Sequence, residues 1–423
     1  MLDDVSVFEE YESNVRSYCK SFPTIFQTAK GSLVYSESGE EYIDFFAGAG
    51  ALNYGHNNEF IKRRILSYLE ADGIIHSLDM YTSAKRDFLQ KFVHMILEPR
   101  QLDYKVQFCG PTGTNAIEAA LKLARRLKNR SSIFSFMGAY HGMSLASLSA
   151  TGNRSHRLAA ALPLTHVTFM PYPHGFMSTF DTITYIETVL NDPHSGIEKP
   201  AAILLETVQA EGGVIVAPID WLQRLRSLCD AYDILLICDD IQVGCSRTGP
   251  FFSFERAAIV PDMVTLSKSI SGYGLPMSLL LMRPELDIWE PGEHSGTFRG
   301  NQLAFVGAAA ALEYAKNNNL AATTRANAAF IENFLTSHIL PLHKHITIRG
   351  IGMIWGIDFS NFTETNLAKK IARRCFELGL LVETVGRDDT VIKVIPPLNI
   401  EKEVLEKGLL IIKQAIHCLL EFE

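Results

Sequence analysis

Leu235-Leu236-Ile237-Cys238-Asp239-Asp240-Ile241-Gln242 reads as a buried strand that ends in a pair of carboxylates. Further on, Met263-Val264-Thr265-Leu266-Ser267 is a second apolar stretch, and it ends in Lys268. Neighbouring strands of this kind place an acid and an amine at one edge of a sheet, where α/β folds put ligands. Working outward, 201–206 reads as another buried strand and 220–232 as a helix. Residues 116–129 have apolar positions at helical spacing, and 133–137 and 167–170 are strand candidates. Strand–helix alternation of this kind predicts an α/β fold with a mostly parallel sheet flanked by helices.

Near residue 310 the texture changes. The chain then reads as helix (321–340), strand (353–358), helix (365–378), strands near 380–383 and 391–395, and a last helix after Asn399. At the other end, Ser32-Leu33-Val34-Tyr35 and Tyr42-Ile43-Asp44-Phe45 flank Ser38-Gly39 as a hairpin. The expected organisation is an N-terminal segment (1–55) packing with a small domain, a large domain (56–310) and a smaller C-terminal α+β domain (311–423). No internal repeat is visible, so solenoids are excluded.

A length of 423 residues exceeds one typical domain, and the 47% hydrophobic content supports ample core. The net charge of −8 argues against a nucleic-acid or acidic-membrane partner. No apolar run approaches the about 18 residues that span a bilayer. Met1-Leu2-Asp3-Asp4 lacks the charged-then-apolar order of a signal peptide. The 7 cysteines are dispersed without CxxC pairing, which reads as reduced thiols, a cytoplasmic location and no metal site.

Several stretches carry chemistry. Gly110-Pro111-Thr112-Gly113-Thr114-Asn115 precedes the helix at 116, and amides at a helix start suit a phosphate. Alone, the stretch reads more readily as a tight turn with Thr114 or Asn115 as an ordinary N-cap. Tyr140-His141-Gly142 follows a strand, where an aromatic can stack on a planar ring or simply fill core. Glu206 and Glu211 bracket Glu206-Thr207-Val208-Gln209-Ala210-Glu211-Gly212-Gly213, a candidate ligand loop that would also pass as a solvated one. The doubled carboxylate at Asp239-Asp240 is costly to bury unless partnered. An amine and a carboxylate so placed suit pyridoxal phosphate: Lys268 forms a Schiff base with its aldehyde, and Asp239 keeps the ring nitrogen protonated.

In this order the motifs resemble the class III aminotransferases of fold type I. They are Gly113-Thr114, Tyr140-His141-Gly142, the 206–213 loop, Asp239-Asp240-Ile241-Gln242-Val243-Gly244, Arg247-Thr248-Gly249, Lys268 and Gly296-Thr297-Phe298. Matches run from Phe26 to Pro397. The resemblance implies a large domain with a mostly parallel sheet plus a smaller α+β domain, and pyridoxal 5'-phosphate as cofactor. It implies that Lys268 carries the cofactor and shuttles the proton, while Asp239 pairs with the ring nitrogen. Ile241 and Tyr140 would sandwich the ring, with His141 and Glu206 beside it and Gln242 at its phenolic oxygen. Gly113 and Thr114 would hold the phosphate with Thr297 of a second subunit, so a homodimer or dimer of dimers with shared active sites is expected.

Departures from the commoner family pattern narrow the substrate. His141-Gly142-Met143 lacks an arginine that many members carry. Val391-Ile392-Lys393-Val394-Ile395-Pro396-Pro397 has lysine where arginine is usual, and Asp240 replaces a more frequent glutamate. Lysine is a point charge without a bidentate fork, so it recognises a carboxylate more loosely. These departures, with stretches such as Phe45-Phe46-Ala47-Gly48-Ala49-Gly50-Ala51-Leu52-Asn53-Tyr54-Gly55-His56, resemble the diaminobutyrate–2-oxoglutarate branch associated with ectoine biosynthesis. The implied reaction is ping-pong between L-glutamate and L-aspartate 4-semialdehyde. Glu211 and Lys393 would form a pair that opens for glutamate's α-carboxylate, and Arg299 or Arg16 would meet the γ-carboxylate. The competing readings are a 4-aminobutyrate or ornithine aminotransferase, a racemase or aminomutase using the same cofactor, and a non-catalytic relative. Retention of Lys268, Asp239 and the phosphate loop speaks against the last.

Overall fold

The computed structural model describes residues 5–174 and 180–420; the Met1-Leu2-Asp3-Asp4 stretch read above lies outside them. A seven-stranded sheet runs in the order Lys105–Gly110, Ser278–Met282, Met263–Leu266, Leu235–Asp239, Ala202–Leu205, Ile133–Phe136, Val167–Met170. Leu235–Asp239 is the middle strand, with every residue buried, as expected for a parallel strand covered on both faces. It pairs in parallel with Met263–Leu266 and with Ala202–Leu205. Asp239 lies opposite Thr265 and Cys238 opposite Leu205. Glu206, Asp239 and Lys268 therefore leave the sheet at the same edge.

The parallel reading has one exception. Ser278–Met282 runs antiparallel to both of its neighbours. Residues 267–277 hold only the short Lys268–Ser271 3-10 turn. Without a crossover helix the chain must return antiparallel.

Two four-stranded sheets complete the β structure, apart from a small hairpin. One joins Phe26–Lys30, Leu33–Ser36 and Glu41–Asp44 to Leu380–Leu381, so the N-terminal hairpin shares a sheet with a late segment. The other orders Thr347–Ile351, Ile354–Asp358, Val391–Val394 and Glu383–Val385. The hairpin of Val208–Gln209 and Ile215–Val216 carries Glu211 on its connecting loop.

Arg247 fastens distant segments. Wholly buried, it donates to the carbonyls of Met353 (3.0 Å) and Pro396 and to Asn53 Oδ1 (2.5 Å).

Some elements differ from the sequence reading. The helix expected at 116–129 is Gly113–Lys128, because Thr112 and Asn115 form a capping box that starts it at the glycine. Helices Glu59–Glu70 and Ser83–Phe92 were not singled out beforehand. Gln302–Asn317, also missed, buries Ala304, Ala308, Ala309, Ala310 and Ala311 along most of its circumference. A helix covered on most sides has little amphipathic periodicity to read. Among the described residues, no helix is long and apolar enough to cross a membrane.

Candidate active site

Asp239 is 4% exposed at the end of the central strand, and its carboxylate is held at both oxygens. His141 Nδ1 donates to Oδ2 at 2.7 Å, while the Ile241 amide (3.1 Å) and the Thr265 hydroxyl (3.2 Å) donate to Oδ1. Buried carboxylates persist when hydrogen-bonded in this way. His141 is itself buried, and its Nε2 has no hydrogen-bond partner among the described residues. Its amide donates to the Thr151 hydroxyl at 3.0 Å. Glu206 accepts from the Tyr140 amide at 3.0 Å, so it positions the candidate stacking residue. Burial, with the nearby Asp239 charge, pushes the Glu206 carboxyl well above the usual carboxylate range.

Lys268 opens the turn that follows its strand and has φ +51°, a left-handed conformation rare for a non-glycine residue. Such strain costs on the order of 1–3 kcal/mol and collects at functional sites. The surrounding turn is fastened. Ser267 Oγ donates to Met277 O at 2.7 Å and Ser269 Oγ to Gly50 O at 2.6 Å. Burial lowers the Lys268 pKa; the Glu211 charge opposes this and the Lys393 ammonium adds to it. A lowered amine pKa suits a group that must lose and regain a proton near neutrality.

The first turn of Gly113–Lys128 presents the amides of Gly113 and Thr114, which a helix leaves without intrahelical acceptors. Thr114 Oγ1 donates to Ser144 Oγ at 2.6 Å, and Ser144 Oγ in turn donates to Glu118 Oε1 at 2.5 Å. A Cβ at Gly113 would lie 2.8 Å from Ile241 Cδ1, and one at Gly142 would lie 2.7 Å from Thr114 Oγ1. The phosphate turn, the Ile241 face and the Tyr140-His141-Gly142 turn are thus packed as closely as glycine permits. The donor set fits pyridoxal phosphate: an anion site at a helix start, an apolar wall, a held carboxylate and a desolvated amine.

Lys393, the candidate substrate-binding residue, is wholly buried yet charged. Its Nζ lies 2.6 Å from Glu211 Oε1, 2.7 Å from Glu383 Oε1 and 3.2 Å from Gln242 Oε1. Burial disfavours the ammonium, but Glu211 and Glu383 outweigh it and raise the Lys393 pKa. Glu211, partly buried, is held down at about 2 by Lys393 and, more weakly, Lys268, against the opposing effect of burial. Gln242 donates to Ala49 O (2.8 Å) and to Glu211 Oε1 (3.1 Å). Gln242 therefore belongs to this cluster as well as to the expected ring contact.

The structure gathers Glu206, Asp239, His141, Ile241, Gln242, Glu211, Lys393 and Lys268 through direct bonds or mutual charge interactions. Thr297 stands apart, on an exposed stretch with Phe298 71% exposed. Arg16 is engaged with the carbonyls of Glu12 (2.8 Å) and Ser13 (3.3 Å). Arg299 has buried Nε and Nη2 atoms with no hydrogen-bond partner among the described residues. Glu383 was missed in the sequence. It sits in the short strand Glu383–Val385, and only the pairing register shows what it faces.

Asp240 solves its burial differently. Its Oδ2 accepts from the Ser253 amide at 2.8 Å, Oδ1 accepts from the Ser253 hydroxyl, and burial pushes its pKa to about 7. A carboxyl raised on folding from 3.8 to about 7 contributes stability that is fully present below pH 3.8 and lost as pH rises to about 7. Asp240→Asn should remove that part of the dependence. Wild type is expected to lose on the order of a few kcal/mol relative to the variant across this window. Denaturant midpoints of both proteins across that pH range check it; parallel curves would exclude Asp240 as the titrating group.

Comparison with known proteins gives a consistent likeness. A model of the family "aminotransferase class-III" matches residues 16–416. A diaminobutyrate–2-oxoglutarate transaminase of Streptomyces avermitilis is 53% identical, covering 98% of this chain and 98% of its own. One from Halalkalibacterium halodurans is 52% identical, covering 99% of this chain and 97% of its own. Among solved structures, the ornithine aminotransferase of Toxoplasma gondii, described with partial occupancy of PLP at its active site, superposes with TM-score 0.85 at 25% identity, covering 98% of this chain and 94% of that one.

Proposed function

The chain belongs to the class-III aminotransferase family, whose cofactor is pyridoxal phosphate, and from that premise we propose that it moves an amino group between L-glutamate and L-aspartate 4-semialdehyde, giving 2-oxoglutarate and L-2,4-diaminobutyrate. The observation that carries the substrate assignment is likeness over nearly the full length to relatives of that name. The Lys393–Glu211 pair supports it.

When bound, pyridoxal phosphate supplies an electrophilic carbon for the amine and a ring that accepts an electron pair. Asp239, oriented by His141, would hold the proton on the ring nitrogen. Lys268 would carry the proton between the substrate carbon and the cofactor side. Ile241 and Tyr140 would flank the ring, Gln242 would reach its phenolic oxygen, and the amides of Gly113 and Thr114 would bind the phosphate. The exposed Thr297 would complete that phosphate site in a second copy, in a homodimer or dimer of dimers in the cytoplasm. Glu211 would leave Lys393 to admit glutamate's α-carboxylate and return for the semialdehyde. Of the candidate cations for the γ-carboxylate, Arg299 has buried N–H groups without a partner among the described residues, whereas the Nη1 of Arg16 is engaged by backbone carbonyls, which favours Arg299.

Single half-reactions test this. With pyridoxal phosphate bound, glutamate alone and diaminobutyrate alone should each discharge the visible band, with 4-aminobutyrate and ornithine slower by about tenfold or more. Faster reaction with either of those amines would reassign the substrate, and turnover without any 2-oxo acid would indicate a racemase or aminomutase. Arg299→Ala should raise the glutamate KM; an unchanged value would remove Arg299 from the site.

A further inference from the structure

Lys393 carries two carboxylates on one ammonium, and they reach it from different parts of the fold. Glu383 stands directly opposite Lys393 in the antiparallel pairing of Glu383–Val385 with Val391–Val394. Cross-strand partners of this kind are held together by the sheet itself. Glu211 arrives from the loop of the small hairpin, and its side chain is 29% exposed against 10% for Glu383. Its backbone carbonyl accepts from the Gly386 amide at 3.0 Å, but beyond Lys393 its side chain's only hydrogen bond among the described residues is the one from Gln242. One carboxylate is built into the wall and the other is presented on a loop.

We infer that Glu383 is the permanent counter-ion of Lys393 and Glu211 the exchangeable one, which makes Glu383 a specificity-determining residue for the dicarboxylate donor. This rests on the reading that Lys393 receives the donor's α-carboxylate. The physical need arises from the lysine. An ammonium on a four-carbon stem, held by one anion, follows that anion when it moves. Held also by a carboxylate on the neighbouring strand, Nζ stays in place when Glu211 withdraws. The incoming carboxylate then takes the vacated seat with no change in the charge around the ammonium. Glu383 thus supplies the positional rigidity that a guanidinium fork would provide by itself. The cluster also neighbours the amine. Glu211, Lys393 and Glu383 all act on Lys268, and Tyr18 faces the same two carboxylates.

Opposite responses of the two glutamates test the inference in the holoenzyme. Glu211→Gln removes the competitor and should lower the glutamate KM. Glu383→Gln replaces a charge-assisted anchor with a neutral one, a loss of about 1.4 kcal/mol, which is about tenfold in the ratio of glutamate KM to diaminobutyrate KM. Glu383→Asp, which keeps the charge, should recover part of that loss. A fall in glutamate KM in Glu383→Gln, or no change, overturns the inference. A wild type that does not react with glutamate sinks the functional reading instead. In that event the visible absorbance of the holoenzyme against pH still decides. Glu383 is one of the anions raising the Lys268 pKa, so Glu383→Gln should titrate at lower pH than wild type, and coincident curves overturn the inference.

Discussion

Lys268→Ala is expected to lower the transamination rate by about 10⁴-fold, the upper end of what a positioned acid–base supplies, and to abolish the visible absorbance of the purified protein. The other buried amine of the cluster is not free to substitute. Lys393 is occupied by Glu211, Glu383 and Gln242 and cannot leave them without stranding buried charge. Stability should move the other way. The lysine is held at φ +51° with an amine whose charged form is disfavoured by burial, so alanine removes a desolvation cost. Without cofactor, the variant should melt no lower than wild type. Single-turnover absorbance with glutamate measures the first effect and calorimetry the second. A variant retaining a hundredth of the wild-type rate would mean that another group moves the proton.

Asp239→Asn should cost about 10³-fold in rate while leaving the fold intact. The amide oxygen can still accept from the Ile241 amide and the Thr265 hydroxyl, the bonds that fix the strand end at 3.1 and 3.2 Å. The negative charge facing the cofactor is what disappears. His141 also loses the anion that orients its Nδ1 proton at 2.7 Å. The measurement is kcat beside cofactor affinity. A variant with weakened affinity and normal kcat would assign Asp239 to binding alone. Full activity would detach it from the ring nitrogen.

Much of this centre is legible as one-dimensional text because it lies at strand ends. A buried strand announces itself by an unbroken apolar run, and polar residues at its carboxyl end have little to do there except bind. Asp239, Lys268 and the 206–213 loop are of that kind. Arg16 is a different case: its charge makes it a candidate, and the structure sets its Nη1 on the carbonyls of Glu12 and Ser13. The helix Gln302–Asn317 was hidden because it is apolar on most sides. The reversal of Ser278–Met282 was hidden because strand direction follows from the length of a connection, not from the strand's composition.

The sequence by itself determined the α/β class and singled out Asp239 and Lys268 at strand ends, the glycine turn at Gly113-Thr114 and the lysine at 393. Each depends on local order along the chain. Only the tertiary structure decided what surrounds that lysine. Glu211, Gln242 and Glu383 come from separate segments, and their convergence on Nζ depends on strand register and sheet packing. Charges act through distance in space, and a sequence does not record which distant residues the fold brings within hydrogen-bonding reach.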